Sequence, residues 1–499
     1  MSERLSSADV SFFHLEGRTT PQHVGELAVF EPPADGFHYE RLVRLLEERI
    51  FLVPRYRQKV RSIPGHIANP VWVDDPNFDI TYHVRRSALP RPGSAAQLLE
   101  FAARIQSRLL DRSRPLWEMY LIEGLSDGRL AIVTKTHHAM VDGAGAVDIT
   151  QVILDSAPTP RRTVEPLWMP EPEPGSAALV VDALTGVARR PTAVLDAVRL
   201  GVNDVRTTTG RVTGALGGVL SAAAALIRPA PSSPLHVTVG EQRRIAVART
   251  RLEDYRLVRG ALGGTVNDVV LATVAGGLRG WLLQRGEPVT ATQTVRALVP
   301  VSVHDEVDPA EPEPSNQVTA LLVDLPIGQA DPVRRLTQIS HAMAAHQQSG
   351  RSVGADALVA LSGFAPPTLH ALGARAANGL TQRLFSLVVT NVPGPQLPVY
   401  AAGARMREMF PIPPLAPGHA VSIGLTSYDG GVYYGVNGDR DAMPDIAVLA
   451  TLLEDSLAEL VEAGAGAAEV AAVQITSSRS TRRPSGRRTA VRSRRETTL

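Results

Sequence analysis

His137 and His138 stand side by side and are followed at short spacing by Asp142 and Gly143, which gathers two imidazoles, a carboxylate and a turn-forming glycine into seven residues. Imidazole is the side chain whose ordinary pKa lies nearest neutrality, so it takes and returns a proton readily, and a positioned base contributes about 10²–10⁴ in rate. Read from these residues alone, three assignments compete. The two histidines are ordinary strand-end residues, one packed and one wet. Alternatively, His137, His138 and Asp142 ligate a metal, which strand alternation disfavours because neighbouring side chains point to opposite faces. In the third reading a single imidazole is a general base held in place by the others. No serine or cysteine in a nucleophile elbow accompanies it, so it would act on a hydroxyl of the substrate itself and transfer a group directly.

The elements that must position these residues are legible nearby. Arg129 to Val133 is a short apolar run of strand type, and Gly143-Ala144-Gly145 opens a helical pattern from Ala146 to Leu154. The histidines thus sit at a strand end, where side chains project from a rigid sheet into a loop. A preceding strand at Met119 to Ile122 and the turn Ser126-Asp127-Gly128 make a hairpin with the histidine strand, with Trp117 and His138 near opposite ends of the paired strands.

Further out, the sequence predicts a short N-terminal helix over Val10 to Leu15, a strand at Gly25 to Phe30, and amphipathic helices at Tyr39 to Ile50 and Ala95 to Leu110. Ala157 to Gly175 is a proline- and acid-rich linker, and Ser176 to Ile227 is an Ala/Gly-rich helical connection. Its run Gly214 to Ile227, about fourteen residues, suits a buried helix packed between domains, or an interfacial segment against lipid, better than a membrane span. After His236 come strands at Arg243 to Ala248, Arg296 to Val301, Val318 to Leu325 and Leu384 to Val389, and a hairpin at Ala420 to Ser427 and Val432 to Val436. Helices are expected at Leu252 to Leu262, Val269 to Leu283, Pro332 to His346 and Asp445 to Ala463, with an acidic loop at Asp305 to Pro314. Strands and helices alternate irregularly, so the fold class is α/β with two mixed-sheet sandwiches.

Length agrees with two domains, because 499 residues exceed what one core holds. The chain has no cysteine, which excludes thiolate zinc sites and cysteine nucleophiles, and it has no apolar run long enough to span a bilayer. The expected location is cytoplasmic. Net charge is +1, but eight arginines against one glutamate lie between Ala471 and Leu499, so the first 470 residues carry −6. A negative body without a basic stripe does not suit nucleic acid, whereas the Arg-rich tail reads as disordered and able to touch an anionic surface.

His137-His138-Ala139-Met140-Val141-Asp142-Gly143 resembles the HHxxxDG signature of the acyltransferase superfamily that includes chloramphenicol acetyltransferase and peptide-synthetase condensation domains. The His-x4-Asp pattern of membrane glycerolipid acyltransferases, which would pair His137 with Asp142, is disfavoured by the lack of spans. Within the superfamily, further stretches resemble the bacterial wax ester synthase/acyl-CoA:diacylglycerol acyltransferases. These are Leu5-Ser6-Ser7-Ala8-Asp9 with Phe12 and Phe13, Pro115-Leu116-Trp117-Glu118 with Ile122-Glu123-Gly124-Leu125, Asn267-Asp268, Ser315-Asn316-Gln317 and Asn391-Val392-Pro393-Gly394-Pro395, in family order over about residues 1 to 465.

That resemblance implies two chloramphenicol-acetyltransferase-like domains with an active-site tunnel at their interface. The expected division is residues 1–160 for the first, 161–235 for the connection, 236–466 for the second and 467–499 for the basic tail. It implies transfer of a long acyl chain from acyl-CoA, a co-substrate rather than a cofactor, to diacylglycerol, with fatty alcohols as further acceptors and no metal. His138 would be the general base, His137 and Asp142 supports, and Gly143 the tight turn. Pro115, Leu116 and Trp117 would shape a pocket wall, Asn267 would face the tunnel, Asp268 divides evenly between tunnel and helix cap, and Thr390 or Asn391 is a candidate oxyanion donor against a plain turn. The insoluble product implies contact with a membrane or lipid-body surface. Two alternatives stay open: a polyketide or other lipid alcohol as acceptor, and a lipid-surface protein with a vestigial site.

Overall fold

The computed structural model describes residues 3–141, 149–161, 163, 168–188, 230–302, 318–349 and 384–480. Asp142, Gly143, Gly214 to Ile227, the acidic loop, Ser315-Asn316-Gln317 and residues 481–499 lie outside them.

Helix α1 (Ser7–Leu15) starts at an N-cap where Ser6 accepts from the Asp9 N–H and Asp9 reaches back to the Ser6 N–H, a reciprocal capping box. It leads to β1 (His23–Glu31), α2 (Tyr39–Glu47), β2 (Gln58–Arg61), β3 (Val71–Asp74), α3 (Ile80–His83), β4 (Val84–Ala88), α4 (Ala95–Gln106), β5 (Trp117–Glu123), β6 (Leu130–His137), α5 (Ile149–Ile153), β7 (Leu154–Asp155) and α6 (Ser176–Ala188). The later part comprises β8 (Arg243–Arg251), α7 (Leu252–Leu262), α8 (Val266–Gln284), β9 (Val295–Ser302), β10 (Val318–Leu325), α9 (Pro332–Ser349), β11 (Leu387–Pro393), β12 (Tyr400–Ala401), β13 (Ala404–Ile412), β14 (Val421–Tyr428), β15 (Gly431–Asp439) and α10 (Ile446–Ser480).

These strands form two mixed sheets and a small ribbon of β2 and β3. The first sheet runs β4-β5-β6-β1-β13-β12-β7 and the second β10-β9-β11-β14-β15-β8. The expected mixed character is present in both: β4 is parallel to β5, and β11 is parallel to β9 and β14, while the other pairs are antiparallel. β12 and β13 were not anticipated. They come from the C-terminal half, yet β13 lies beside β1, with Leu27 opposite Phe410, so the first sheet is completed by chain some 380 residues away.

The sheets are joined where β13 passes against β14 and β15. Gly435 permits this approach, since a Cβ there would sit 1.9 Å from the Pro411 carbonyl oxygen, and one on Gly424 would sit 2.8 Å from the Pro413 ring. The β14–β15 hairpin turns on Asp429 and Gly430, both at positive φ, which is the local conformation a two-residue hairpin loop requires.

The second sheet is covered by α7, α8 and α10, and α8 is buried along most of its length, so its apolar sequence is that of a core helix. No single described helix is long and apolar enough to cross a membrane. α10 continues to Ser480, past Ala463 and past residue 467, where the disordered tail was expected to begin.

Candidate active site

β6 is buried from end to end and places His137 as its last residue and His138 as the first of a 3-10 turn over His138–Met140. Both flanking strands pin this point. The His137 N–H donates to the Leu116 carbonyl at 2.9 Å on the β5 side, and the His138 N–H donates to the Gln22 carbonyl at 2.9 Å on the β1 side. Antiparallel pairing sets Trp117 opposite Thr136, so the tryptophan and the histidines lie at the same end of the hairpin, correcting the opposite-end expectation.

The two imidazoles have different surroundings. His137 is fully buried, its Nδ1 accepts the Ala139 N–H at 3.1 Å, and the Phe13 ring stacks on it at 4.4 Å. An accepting Nδ1 places the neutral proton on Nε2, which points at Glu16 Oε1, 3.7 Å away. His138 is half-buried, and the Phe12 ring stacks on it at 4.2 Å with 16° between planes. Consecutive phenylalanines at the end of α1 therefore back consecutive histidines at the end of β6. One imidazole is fully buried and the other belongs to a half-buried residue.

Behind His137 lies a buried polar cluster that no spacing motif announced. Glu16 Oε1 is 3.0 Å from His23 Nε2, and Arg112 reaches Glu16 Oε2 through Nε at 3.1 Å. His23 is the register partner of His137 across β1 and β6. Burial pushes the Glu16 carboxyl up, but the imidazoles of His137 and His23 facing it outweigh this and hold it far below the usual carboxylate range. Burial drives His23 down to about 4, against the opposing pull of Glu16.

The signs of these shifts agree. A depressed carboxylate stabilises the fold above its unfolded value of 4.5 and loses that contribution below it. An imidazole kept neutral down to about 4, but with an unfolded value of 6.5, loses stability as pH falls through that interval. The thermal midpoint is expected to fall as pH is lowered from 7 to 4, and His23→Gln should flatten the part between 6.5 and 4; a midpoint that stays level over this range in the parent protein contradicts the assignment.

Lys135, two residues before His137 and fully buried, donates through Nζ to the carbonyls of Ile105, at 3.1 Å, and Arg108. It thereby satisfies carbonyls at the C-terminal end of α4, where a cation is favourable. Burial pushes its ammonium down to about 8.

The remaining candidates fall into two groups. Leu116 and Trp117 are core residues. Trp117 is fully buried, donates Nε1–H to the Tyr56 carbonyl at 2.9 Å and stacks on His83 at 4.7 Å, while Pro115 is also buried. In the second half of the chain, Asn391 Nδ2 donates to Asn267 Oδ1 at 3.3 Å, which brings together two residues 124 positions apart in sequence, both half-buried. Asp268 beside them is the third residue of a capping box with Thr265 and also accepts from Ser340 Oγ at 3.2 Å. Thr390 and Asn391 do not end their strand: β11 pairs with β14 through Pro393, so the turn expected at Asn391 begins later.

Among the described residues no three His, Asp or Glu side chains converge in metal-binding geometry. Adjacent imidazoles in different surroundings, one fully buried and one half-buried, suit proton transfer by a single ring. Two mixed sheets thus carry a paired-histidine strand end.

Comparison with known proteins makes this specific. Residues 5–270 match the wax ester synthase/diacylglycerol acyltransferase catalytic domain, and residues 315–461 match the C-terminal domain of the same family. A probable diacylglycerol O-acyltransferase of Mycobacterium tuberculosis, tgs3, is 47% identical over 260 residues, covering 52% of this chain and 96% of that protein. A second from the same species, tgs2, is 34% identical over 471 residues, covering 91% and 98%. The solved wax ester synthase/diacylglycerol acyltransferase of Marinobacter aquaeolei VT8 superposes with a TM-score of 0.66 at 29% identity, covering 93% of this chain and 100% of that one. The chain belongs to the wax ester synthase/diacylglycerol acyltransferase family.

Proposed function

We propose that the protein moves a long-chain acyl group from acyl-CoA to the free hydroxyl of diacylglycerol, forming triacylglycerol, with His138 as general base. The observation that carries this reading is the asymmetry at the end of β6: His137 is fully buried against Phe13 and Glu16, while His138 is half-buried and backed by Phe12. The His138 imidazole takes the proton of the acceptor hydroxyl as that oxygen attacks the thioester carbonyl carbon. The carbon–sulfur bond breaks, and the imidazolium returns the proton to the CoA sulfur. One base thus serves both halves of the exchange, and the acyl group is never attached to the enzyme.

Asn267 and Asn391 are placed in this reading as substrate-facing residues of the second half, and Asp268 as the cap that fixes the start of α8. Asn267→Ala is expected to reduce kcat/KM about tenfold, a loss of about 1.4 kcal/mol, with the fold intact. Asp268→Ala should instead cost roughly 0.5–2 kcal/mol of stability, read from the denaturation midpoint. Reversed effects would exchange the two roles.

The Marinobacter relative is named for wax ester synthesis as well. Fatty alcohols are therefore a second acceptor class for the same site, and contact with a membrane or lipid-body surface is where both acceptors would be met. The test is an acceptor panel: purified protein with radiolabelled oleoyl-CoA and, separately, dioleoylglycerol, hexadecanol and a sterol, with products resolved by thin-layer chromatography. Labelled triacylglycerol as the main ester supports the reading. A folded protein that makes wax ester alone, sterol ester alone or no ester defeats it.

A further inference from the structure

A groove rich in arginine runs between the two halves of the chain, outside the histidine site. Two adjoining cavities form it, of about 580 and 420 Å3, sharing Arg104 and Gln242 in their walls. Six arginines line it: Arg18, Arg104, Arg108, Arg243, Arg244 and Arg440. Three glutamates, Glu100, Glu241 and Glu454, oppose them, which leaves the groove at +3 on a body that is −6 through residue 470.

The convergence is built by the fold. β15 sets Asp439 opposite Arg243, and the Arg440 N–H donates to the Gln242 carbonyl at 3.1 Å, so Arg243, Arg244 and Arg440 share one strand end. The Arg243 N–H then donates to Ser107 Oγ at 3.0 Å, fastening that end to the last turn of α4, which supplies Arg104 and leads to Arg108. Arg18 is paired with Glu241, and Arg243 is bound to carbonyls of Gly240 and Gln242. Among the described residues, Arg104, Arg108, Arg244 and Arg440 have no carboxylate within ion-pair distance, and the Arg244 Nε is buried without a hydrogen-bond partner. Outside the groove, Arg249 is matched by Glu408 and Arg86 by Glu123, whereas Arg256 and Arg259 on α7 have no ion pair among the described residues. Unmatched guanidinium groups in a concave wall attract an anion, and their fork geometry fits phosphate oxygens two at a time. The adjoining wall is apolar, with Leu99, Ala103, Val247 and Ala450.

We propose that this groove binds the phosphate groups of a nucleotide, and specifically that it anchors the nucleotide end of acyl-CoA. The assignment of CoA rests on acyl-CoA being the donor, whereas the phosphate site itself is read without any transfer taking place. Its place also fits: α4 ends on the ammonium of Lys135, two residues before His137, so the groove is connected through one buried contact to the strand that carries the imidazoles.

The experiment is calorimetric titration of the full chain with adenosine 3′,5′-bisphosphate, which bears nucleotide phosphates and no thioester. It is made on the parent, on the Arg104→Ala/Arg440→Ala double variant of exposed residues, and on an Arg256→Ala/Arg259→Ala control on α7. Binding should weaken by about tenfold or more in the groove variant, not in the control, and should weaken with added salt. In oleoyl-CoA assays the groove variant should raise KM and leave kcat near the parent value. Binding that the groove variant leaves unchanged, or no bisphosphate binding together with binding of phosphatidylglycerol vesicles, overturns the proposal. Either result is separable from failure of the transfer reading, which is scored by ester formation alone.

Discussion

His138→Ala is expected to lower ester formation by about 10²–10⁴-fold while leaving stability within about 1 kcal/mol of the parent. His137→Ala is expected to act through the fold. The difference follows from the two environments. His138 is half-buried, its backbone N–H donates to the Gln22 carbonyl beside β1, and its ring rests on Phe12. His137 is fully buried, its ring accepts the Ala139 N–H, packs on Phe13 and faces Glu16, so truncation leaves a cavity and an unmatched polar cluster, at a cost of about 2–4 kcal/mol. Initial rates and urea midpoints of both variants check this together. A folded His138→Ala protein with parental rate, or rate loss confined to His137→Ala, would move the base to the other ring.

The second large effect is at Trp117. Its side chain is fully buried, stacks on His83 and donates to the Tyr56 carbonyl, so Trp117→Ala removes a large apolar volume and strands a buried acceptor. The expected cost is about 3–5 kcal/mol. Because the neighbouring Leu116 carbonyl holds the His137 N–H, activity should fall along with the melting temperature. Trp117→Phe keeps the ring and loses only the hydrogen bond, for about 1–2 kcal/mol. If Trp117→Ala melts like the parent and changes only acceptor preference, the residue is a pocket wall, as its motif first suggested, and not a core support.

What the sequence made legible was local. The short helix ending at Leu15, the apolar run Arg129 to Val133 before His137 and the hairpin between Ala420 and Val436 each write their structure in a few residues, and the corresponding elements are present. β13 was not legible, because Ala404–Ile412 mixes arginine, glutamate and proline and becomes a strand through pairing with β1. Pro393 misled in the same way: it reads as a turn, but a parallel strand end tolerates it. Glu16, His23 and Lys135 carry no spacing signature. Glu16 and His23 became visible when β1 and β6 brought His23 opposite His137, and Lys135 when α4 was seen to end on its ammonium. The arginine groove drew residues from positions 18, 104 to 108, 243 to 244 and 440, which is why a body negative on average contains a positive cleft.

The central claim is direct transfer between thioester and hydroxyl through one imidazole. It is tested most directly by following free CoA and triacylglycerol together after mixing the purified protein with labelled oleoyl-CoA, with and without dioleoylglycerol. The account predicts CoA and triacylglycerol in equal amounts once dioleoylglycerol is present, little CoA release without it, and no label on denatured protein. Stoichiometric label retained on the protein, or CoA release that continues without an acceptor and yields no ester, would contradict it.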